Sequence, residues 1–110
     1  MEPQEQTTKQ DEENPIDVFN SLLTKHKLLI VNFSASWCGP CKNVEPFVSE
    51  LCAKMSSDIA FLKLDLDEHE ELADHLEVSK VPTFFSFVNG EKTETVLGAK
   101  PELIQKLFDK

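Results

Sequence analysis

The chain of 110 residues has the length of a single domain, and about 65% of its unfolded surface can be buried on folding. Its 20 acidic residues against 11 Lys and Arg give a net charge of −9, which disfavours nucleic acid or an anionic membrane as a partner. No apolar run approaches the roughly 18 residues of a membrane span, and the acidic start lacks the apolar segment of a secretory signal. We therefore expect a cytoplasmic domain that does not bind membranes.

The first 14 residues differ in composition from the rest of the chain. They contain five acidic residues, one Lys and no large apolar residue beyond Met1. This composition predicts an acidic, flexible tail over residues 1–14, ahead of a domain that spans residues 15–110. A short edge strand near Thr7–Gln10 is the alternative.

Helical and extended patterns alternate from residue 15 onward. Asn14 can cap a helix that starts with Pro15. Apolar spacing predicts further helices over residues 39–55, where Pro46 should introduce a kink, and over residues 68–76 and 102–108. Apolar or alternating runs predict strands over residues 28–33, 59–66, 82–88 and 92–97, and Asn89-Gly90 predicts a hairpin turn between the last two. The order α-β-α-β-α-β-β-α implies a central mixed sheet covered on both faces.

Two of the three cysteines form the motif Cys38-Gly39-Pro40-Cys41 at a predicted junction of strand and helix. A cysteine near the start of a helix faces the unpaired N–H groups of the first turn, where about half a positive charge favours the thiolate. Helical geometry places the Cα atoms of Cys38 and Cys41 about 5 Å apart, which is within disulfide range. We therefore predict that Cys38 attacks a substrate disulfide and that Cys41 resolves the mixed disulfide.

A zinc site is the main rival interpretation of this motif. Zinc requires two further ligands, and the chain has no second pair of closely spaced cysteines. Cys52 lies about three helical turns from Cys41, or some 16 Å, which is too far to share one metal. We expect no metal, and we expect Cys52 to be a small core residue, with a regulatory thiol or a dimer link as the alternative.

Other groups that could carry chemistry are weaker candidates. His69 and His75 are six residues apart, whereas a zinc-protease helix needs histidines four apart, so we expect a solvated helix face. Asp65 and Asp67 project from one face of a strand end, but two carboxylates alone make a poor cation site. Solubility or partner recognition is the expected role of this acidic pair.

The segment FSASWCGPCK, residues 33–42, resembles the active-site segment of the thioredoxin family. Further similarities to that family are Pro46, Lys63, Val81-Pro82-Thr83 (a loop with a cis proline in the family), Asn89-Gly90 and Leu97-Gly98-Ala99. The resemblance covers about residues 15–110. It implies the thioredoxin fold, an α/β fold with a central mixed sheet of four to five strands flanked by four helices.

The resemblance also implies an activity and its partners. The expected protein is a monomer without a bound cofactor that reduces protein disulfides and is regenerated by a thioredoxin reductase. The family's flat apolar surface for extended protein segments would consist here of Trp37, Gly39, Pro40, Val81, Pro82, Gly98 and Ala99. The backbone of Val81 would pair with the substrate chain beside its disulfide.

One departure from the family concerns the tuning of the cysteines. Most thioredoxins have a buried Asp, thought to exchange a proton with the deeper cysteine, at the position of Asn32. Asn has no titratable proton and no charge. We therefore expect slower resolution by Cys41 and a Lys63 that lacks its usual anionic neighbour.

Two other functions remain open at this point. The first is a redox-sensitive interaction module with weak reductase activity, which Asn32 favours and the intact cysteine pair disfavours. The second is a more oxidising, isomerase-like protein, which Gly-Pro between the cysteines disfavours. A reduction potential near −270 mV rather than −180 mV would separate a reductase from an isomerase.

Overall fold

The computed structural model describes residues 15–109, so the predicted tail over residues 1–14 and its alternative edge strand lie outside it. The elements follow the predicted order: α1 (Pro15–Lys25), β1 (Leu28–Ser34), α2 (Gly39–Lys54), β2 (Ile59–Asp65), α3 (Glu70–His75), β3 (Thr83–Val88), β4 (Glu91–Leu97) and α4 (Pro101–Phe108). None of the described helices is long and apolar enough to cross a membrane.

Helix α3 is shorter than predicted, because the chain after β2 first makes a tight turn. The Asp65 Oδ1 atom accepts hydrogen bonds from the backbone N–H groups of Asp67, at 2.8 Å, and Glu68, at 3.3 Å. A carboxylate that satisfies nearby backbone donors in this way competes with helix formation. The helix therefore begins at Glu70 rather than at Glu68.

The four strands found among residues 15–109 form one mixed sheet in the order β2-β1-β3-β4. Strand β1 pairs parallel to β2 and antiparallel to β3, and β3 and β4 form an antiparallel hairpin. The hairpin turn is the predicted Asn89-Gly90, whose φ angles of 52° and 87° lie in the left-handed region that this dipeptide tolerates. The mixed sheet and the four flanking helices confirm the predicted fold class.

Successive side chains of β1 point to opposite faces of the sheet, and this alternation separates the core into two clusters. Leu29, Val31 and Phe33 are buried with residues of α1 and α3. Leu28 and Ile30 are buried in a second cluster with residues of α2 and α4. By the same alternation, residue 32 lies on the face that α2 covers, directly below the helix that carries the cysteine motif.

Candidate active site

The cysteine motif lies where β1 ends and α2 begins. Cys38 is the N-cap residue of α2, in an extended conformation, and its Sγ accepts a hydrogen bond from the backbone N–H of Cys41 at 3.1 Å. A disulfide joins the two residues, whose Cα atoms are 5.3 Å apart, as the helical spacing predicts. Pro40 occupies the first turn, where a missing N–H costs nothing. The strand-to-helix junction thus places a sulfur against a backbone N–H of the first helical turn.

Both cysteines of the motif are buried. The exposed fraction of Cys38 is 5% and that of Cys41 is 7%. Both cysteines pack against Ala35 and Val81, and the Cys38 Sγ lies 3.7 Å from the carbonyl oxygen of Val81. The chain segments that carry Ala35 and Val81 therefore cover the two sulfurs.

Trp37 is the exposed aromatic residue directly before Cys38. Its side chain is 65% exposed, which confirms the predicted surface position. The indole Nε1 donates a hydrogen bond of 2.9 Å to the Asp67 carboxylate, in the turn after β2. Asp67 therefore has a more specific role than solubility, since it fixes the orientation of the indole beside Cys38.

The structure places the seven residues of the expected apolar surface at different depths. Trp37, Gly39 and Pro40 are exposed, Val81, Gly98 and Ala99 are half-buried, and Pro82 is buried. The Val81–Pro82 peptide bond is cis, as the resemblance implies. The backbone N–H of Gly98 donates to the Pro82 carbonyl at 2.9 Å, which holds these two loops together.

Asn32 and Lys63 are neighbours across the parallel pair β1–β2, where their Cα atoms are register partners. Asn32 is buried, with 6% exposed, and its Oδ1 accepts no hydrogen bond from any residue in the described range 15–109. Lys63 has an anionic neighbour on another element, because its Nζ forms an ion pair with the carboxylate of Glu45 on α2. The hydrogen bond and the charge of Lys63 lower the pKa of Glu45 below its usual value.

A cleft of about 550 Å³ lies below α2 and includes Asn32, Lys63 and Cys41 in its walls. None of the seven residues of the expected apolar surface lines it. His69 does line it, which differs from the solvated helix face that its sequence predicts. His69 instead precedes α3 and is half-buried, and its Nδ1 is buried without a hydrogen-bond partner among the residues described.

Cys52 is free and half-buried, and burial raises the pKa of its thiol. It packs at the edge of the core cluster between the sheet and helices α2 and α4, and it also lines the cleft below α2. Across residues 15–109, no group of three or more His, Cys, Asp or Glu is arranged to hold a metal ion.

A family model for thioredoxin matches residues 7–110. The chain belongs to the thioredoxin family. Thioredoxin 1 of Plasmodium falciparum is 38% identical over 92 residues, which cover 84% of this chain and 88% of that relative. Oxidised mitochondrial thioredoxin 3 of Saccharomyces cerevisiae superposes with a TM-score of 0.80 at 32% identity, covering 86% of this chain and 88% of that one.

A third similarity is to a chain from a structure on the thiol-resolving mechanism of yeast mitochondrial 1-Cys peroxiredoxin through the glutathione and thioredoxin systems. Its TM-score is 0.81 at 30% identity, with 88% of this chain and 91% of that chain covered. Family, fold and the Cys38–Cys41 pair agree with the predicted activity. The protein is a thioredoxin-type thiol–disulfide oxidoreductase.

Proposed function

We propose that the protein carries electrons from a thioredoxin reductase to the disulfides of other proteins, with Cys38 as the attacking thiolate and Cys41 as the resolving thiol. The observation that carries this proposal is the position of Cys38 at the N-cap of α2, with its sulfur on the N–H of Cys41. Unpaired donors and the positive end of a helix stabilise a thiolate at this position.

The two cysteines divide the chemistry between them. The Cys38 thiolate attacks one sulfur of the substrate disulfide, a mixed disulfide forms, and the other substrate sulfur leaves as a thiolate and takes up a proton. Cys41 then loses its proton and attacks the Cys38 sulfur, which releases the second substrate thiol and forms the Cys38–Cys41 disulfide. Two electrons pass from the dithiol to the substrate. The 5.3 Å between the Cα atoms makes this closure possible without unfolding the helix.

The surface around Trp37 is the proposed docking site for an extended substrate segment. Trp37 offers an apolar, exposed face held by Asp67, and Gly39 and Pro40 continue it along the start of α2. Val81 supplies the backbone beside the cysteines. Gly98, Ala99 and the buried Pro82 support this loop rather than present large side chains.

We further propose a cytoplasmic monomer, with residues 1–14 as an acidic tail on the domain over residues 15–110. A reducible cysteine pair and one core cysteine suit a reducing compartment. Immunofluorescence and analytical ultracentrifugation test this part: diffuse cytoplasmic staining and a mass of 12.5 kDa are expected. Purely mitochondrial staining or a stable dimer would contradict it.

Trapping the mixed disulfide tests the roles of the two cysteines. The reduced Cys41→Ser variant should accumulate a covalent adduct with a disulfide-containing protein such as insulin, linked through Cys38, because the resolving thiol is missing. The matched Cys38→Ser variant should form little adduct. Equal adducts on both variants, or an adduct at Cys52, would show that the assignment is wrong. A reduction potential near −180 mV instead of about −270 mV would favour an isomerase-like protein.

A further inference from the structure

The resolving step requires that the buried Cys41 thiol lose its proton while a substrate is attached to Cys38. Cys41 is 7% exposed, and Ala35, Cys38 and Val81 pack around it. A substrate on Cys38 would cover the docking surface around Trp37, so water cannot remove the proton from that side. Cys41 also lines the cleft below α2, to which the docking surface does not contribute. The cleft is therefore the route by which the proton can leave.

Several titratable or charged groups line this cleft with Cys41. From α2 they are Lys42, Glu45 and Cys52, from β2 they are Lys63 and Asp65, and from the following turn they are Glu68 and His69. Asn32, on the floor of the cleft, has no proton to exchange and no basic atom. The proton acceptor must come from this set or be water alone.

Most of the set is unsuited to accept a proton near pH 7. Ammonium groups already carry all their protons, and the Cys52 thiol stays protonated because burial raises its pKa. The ion pair with Lys63 lowers the pKa of Glu45 and makes its carboxylate a weaker base. Asp65 already accepts two backbone hydrogen bonds on Oδ1, and carboxylates in general are weaker bases than imidazole.

His69 remains, and its geometry suits the role. Its backbone N–H donates to the Asp65 carbonyl at 3.0 Å and its carbonyl accepts from the N–H of Ala73, so the backbone of His69 is fixed beside the cleft that its side chain lines. No described residue forms a hydrogen bond with its buried Nδ1. Imidazole changes protonation between about pH 5 and pH 8, which matches a thiol that must ionise near neutrality.

We propose that His69 accepts the Cys41 proton through water in the cleft during the resolving step, an inference that rests on the proposed function. The Cys41 S–H bond breaks, and its proton moves through water to the neutral imidazole. The Cys41 thiolate forms the bond to the Cys38 sulfur, and the bond from Cys38 to the substrate sulfur breaks. The leaving substrate thiolate takes a proton from solvent, and the imidazolium returns its proton to the cleft water. A cleft of about 550 Å³ accommodates such water, since each molecule needs about 30 Å³.

The test separates attack from resolution in the full-length, pre-reduced protein. With a peptide disulfide in single turnover, Trp37 fluorescence reports the reaction, because Trp37 is the only tryptophan and precedes Cys38. The rate at saturating peptide reports resolution by Cys41. The second-order rate of adduct formation in a Cys41→Ser background reports attack by Cys38 alone.

His69→Gln should lower the saturating rate about 10- to 100-fold at pH 7, which is at or below the usual range of about 10²- to 10⁴-fold for general acid–base catalysis because water can partly replace the imidazole. The attack rate in the Cys41→Ser background should stay the same, and the deficit should shrink above about pH 9, where thiols ionise without help. The matched variant His75→Gln, at an exposed position of α3, should resolve at the wild-type rate. Asn32→Asp in the His69→Gln background should recover resolution, because desolvation at this buried position raises the pKa of a carboxyl group and makes it a stronger base than the more exposed carboxylates of the cleft.

Two results would overturn the inference. One is a saturating rate for His69→Gln within about twofold of the wild type from pH 6 to pH 8, far below the usual effect of removing a base. The other is an equal loss in the attack step, which would show a general disturbance of the site. If the wild-type protein reduces no disulfide, the proposed function itself is wrong. Failure of the proposed function can therefore be distinguished from failure of the role proposed for His69.

Discussion

Asn32 offers a test of how the cleft floor affects stability. Its side chain is 6% exposed, and its Oδ1 accepts no hydrogen bond from residues 15–109. A buried polar atom without a partner costs about 1–3 kcal/mol. Asn32→Val removes that atom and suits a central β-strand, because Val is enriched in strands.

We therefore expect Asn32→Val to stabilise the oxidised protein by about 1–2 kcal/mol, since the valine faces an open cleft and recovers only part of the cost. For a domain of this size, such a gain raises the Tm by roughly 5–10 °C. Urea unfolding followed by circular dichroism would show it as a higher midpoint at an unchanged slope. Asn20→Val, at an exposed site of α1, is the matched control and should stay within about 0.5 kcal/mol of wild type.

A loss of 1 kcal/mol or more in Asn32→Val, with the control unchanged, would refute this reasoning. It would mean that the amide makes hydrogen bonds in solution that stabilise the fold. A gain in stability would indicate that a polar residue is retained here at the expense of stability, as is common where a site serves function.

Three further predictions concern single contacts. Replacing Lys63 with Met should raise the pKa of the Glu45 carboxyl towards its usual value, as measured by NMR titration. Because the folded-state pKa of Glu45 is lowered, the stabilisation from this pair is present above the unfolded-state pKa and is lost as pH falls through the folded value. Asp67→Ala should free the Trp37 indole and reduce its fluorescence anisotropy. It should also lower kcat/KM for a protein disulfide by roughly fivefold, which corresponds to the loss of one hydrogen bond of about 1 kcal/mol. An unchanged kcat/KM would argue that Asp67 does not order the indole for binding. Ile104→Ala should cost about 2–5 kcal/mol in urea unfolding, because its side chain is fully buried between α4 and the sheet, and a cost below 1 kcal/mol would contradict that packing.

The secondary structure and the cysteine geometry are predictable because their signals are local. Pro15 and Pro101 open the helices that they predict, and Asn89-Gly90 forms the hairpin turn. The spacing of Cys38 and Cys41 determines their separation once the helix is known. Only element ends changed, as in α3, where the side chain of Asp65 satisfies backbone donors that a helix would use.

The cleft is not predictable in the same way, because its residues are scattered along the chain. Asn32, Glu45 and Lys63 meet only through the parallel pairing of β1 with β2 and the packing of α2 above them. Helical periodicity predicts that His69 lies on the solvent-exposed face of a helix. In the structure His69 lies in the turn before α3 and lines the cleft. The burial of Cys38 likewise depends on Val81, which a distant loop supplies.

Reduction of insulin disulfides by NADPH and a thioredoxin reductase tests the central claim most directly. The wild-type protein should sustain NADPH oxidation, Cys38→Ser should abolish it, and Cys52→Ala should leave it intact, because Cys52 is a free, half-buried thiol outside the disulfide pair. No turnover by a wild-type protein whose Cys38 and Cys41 are shown to be reduced would contradict the claim, as would full activity of Cys38→Ser.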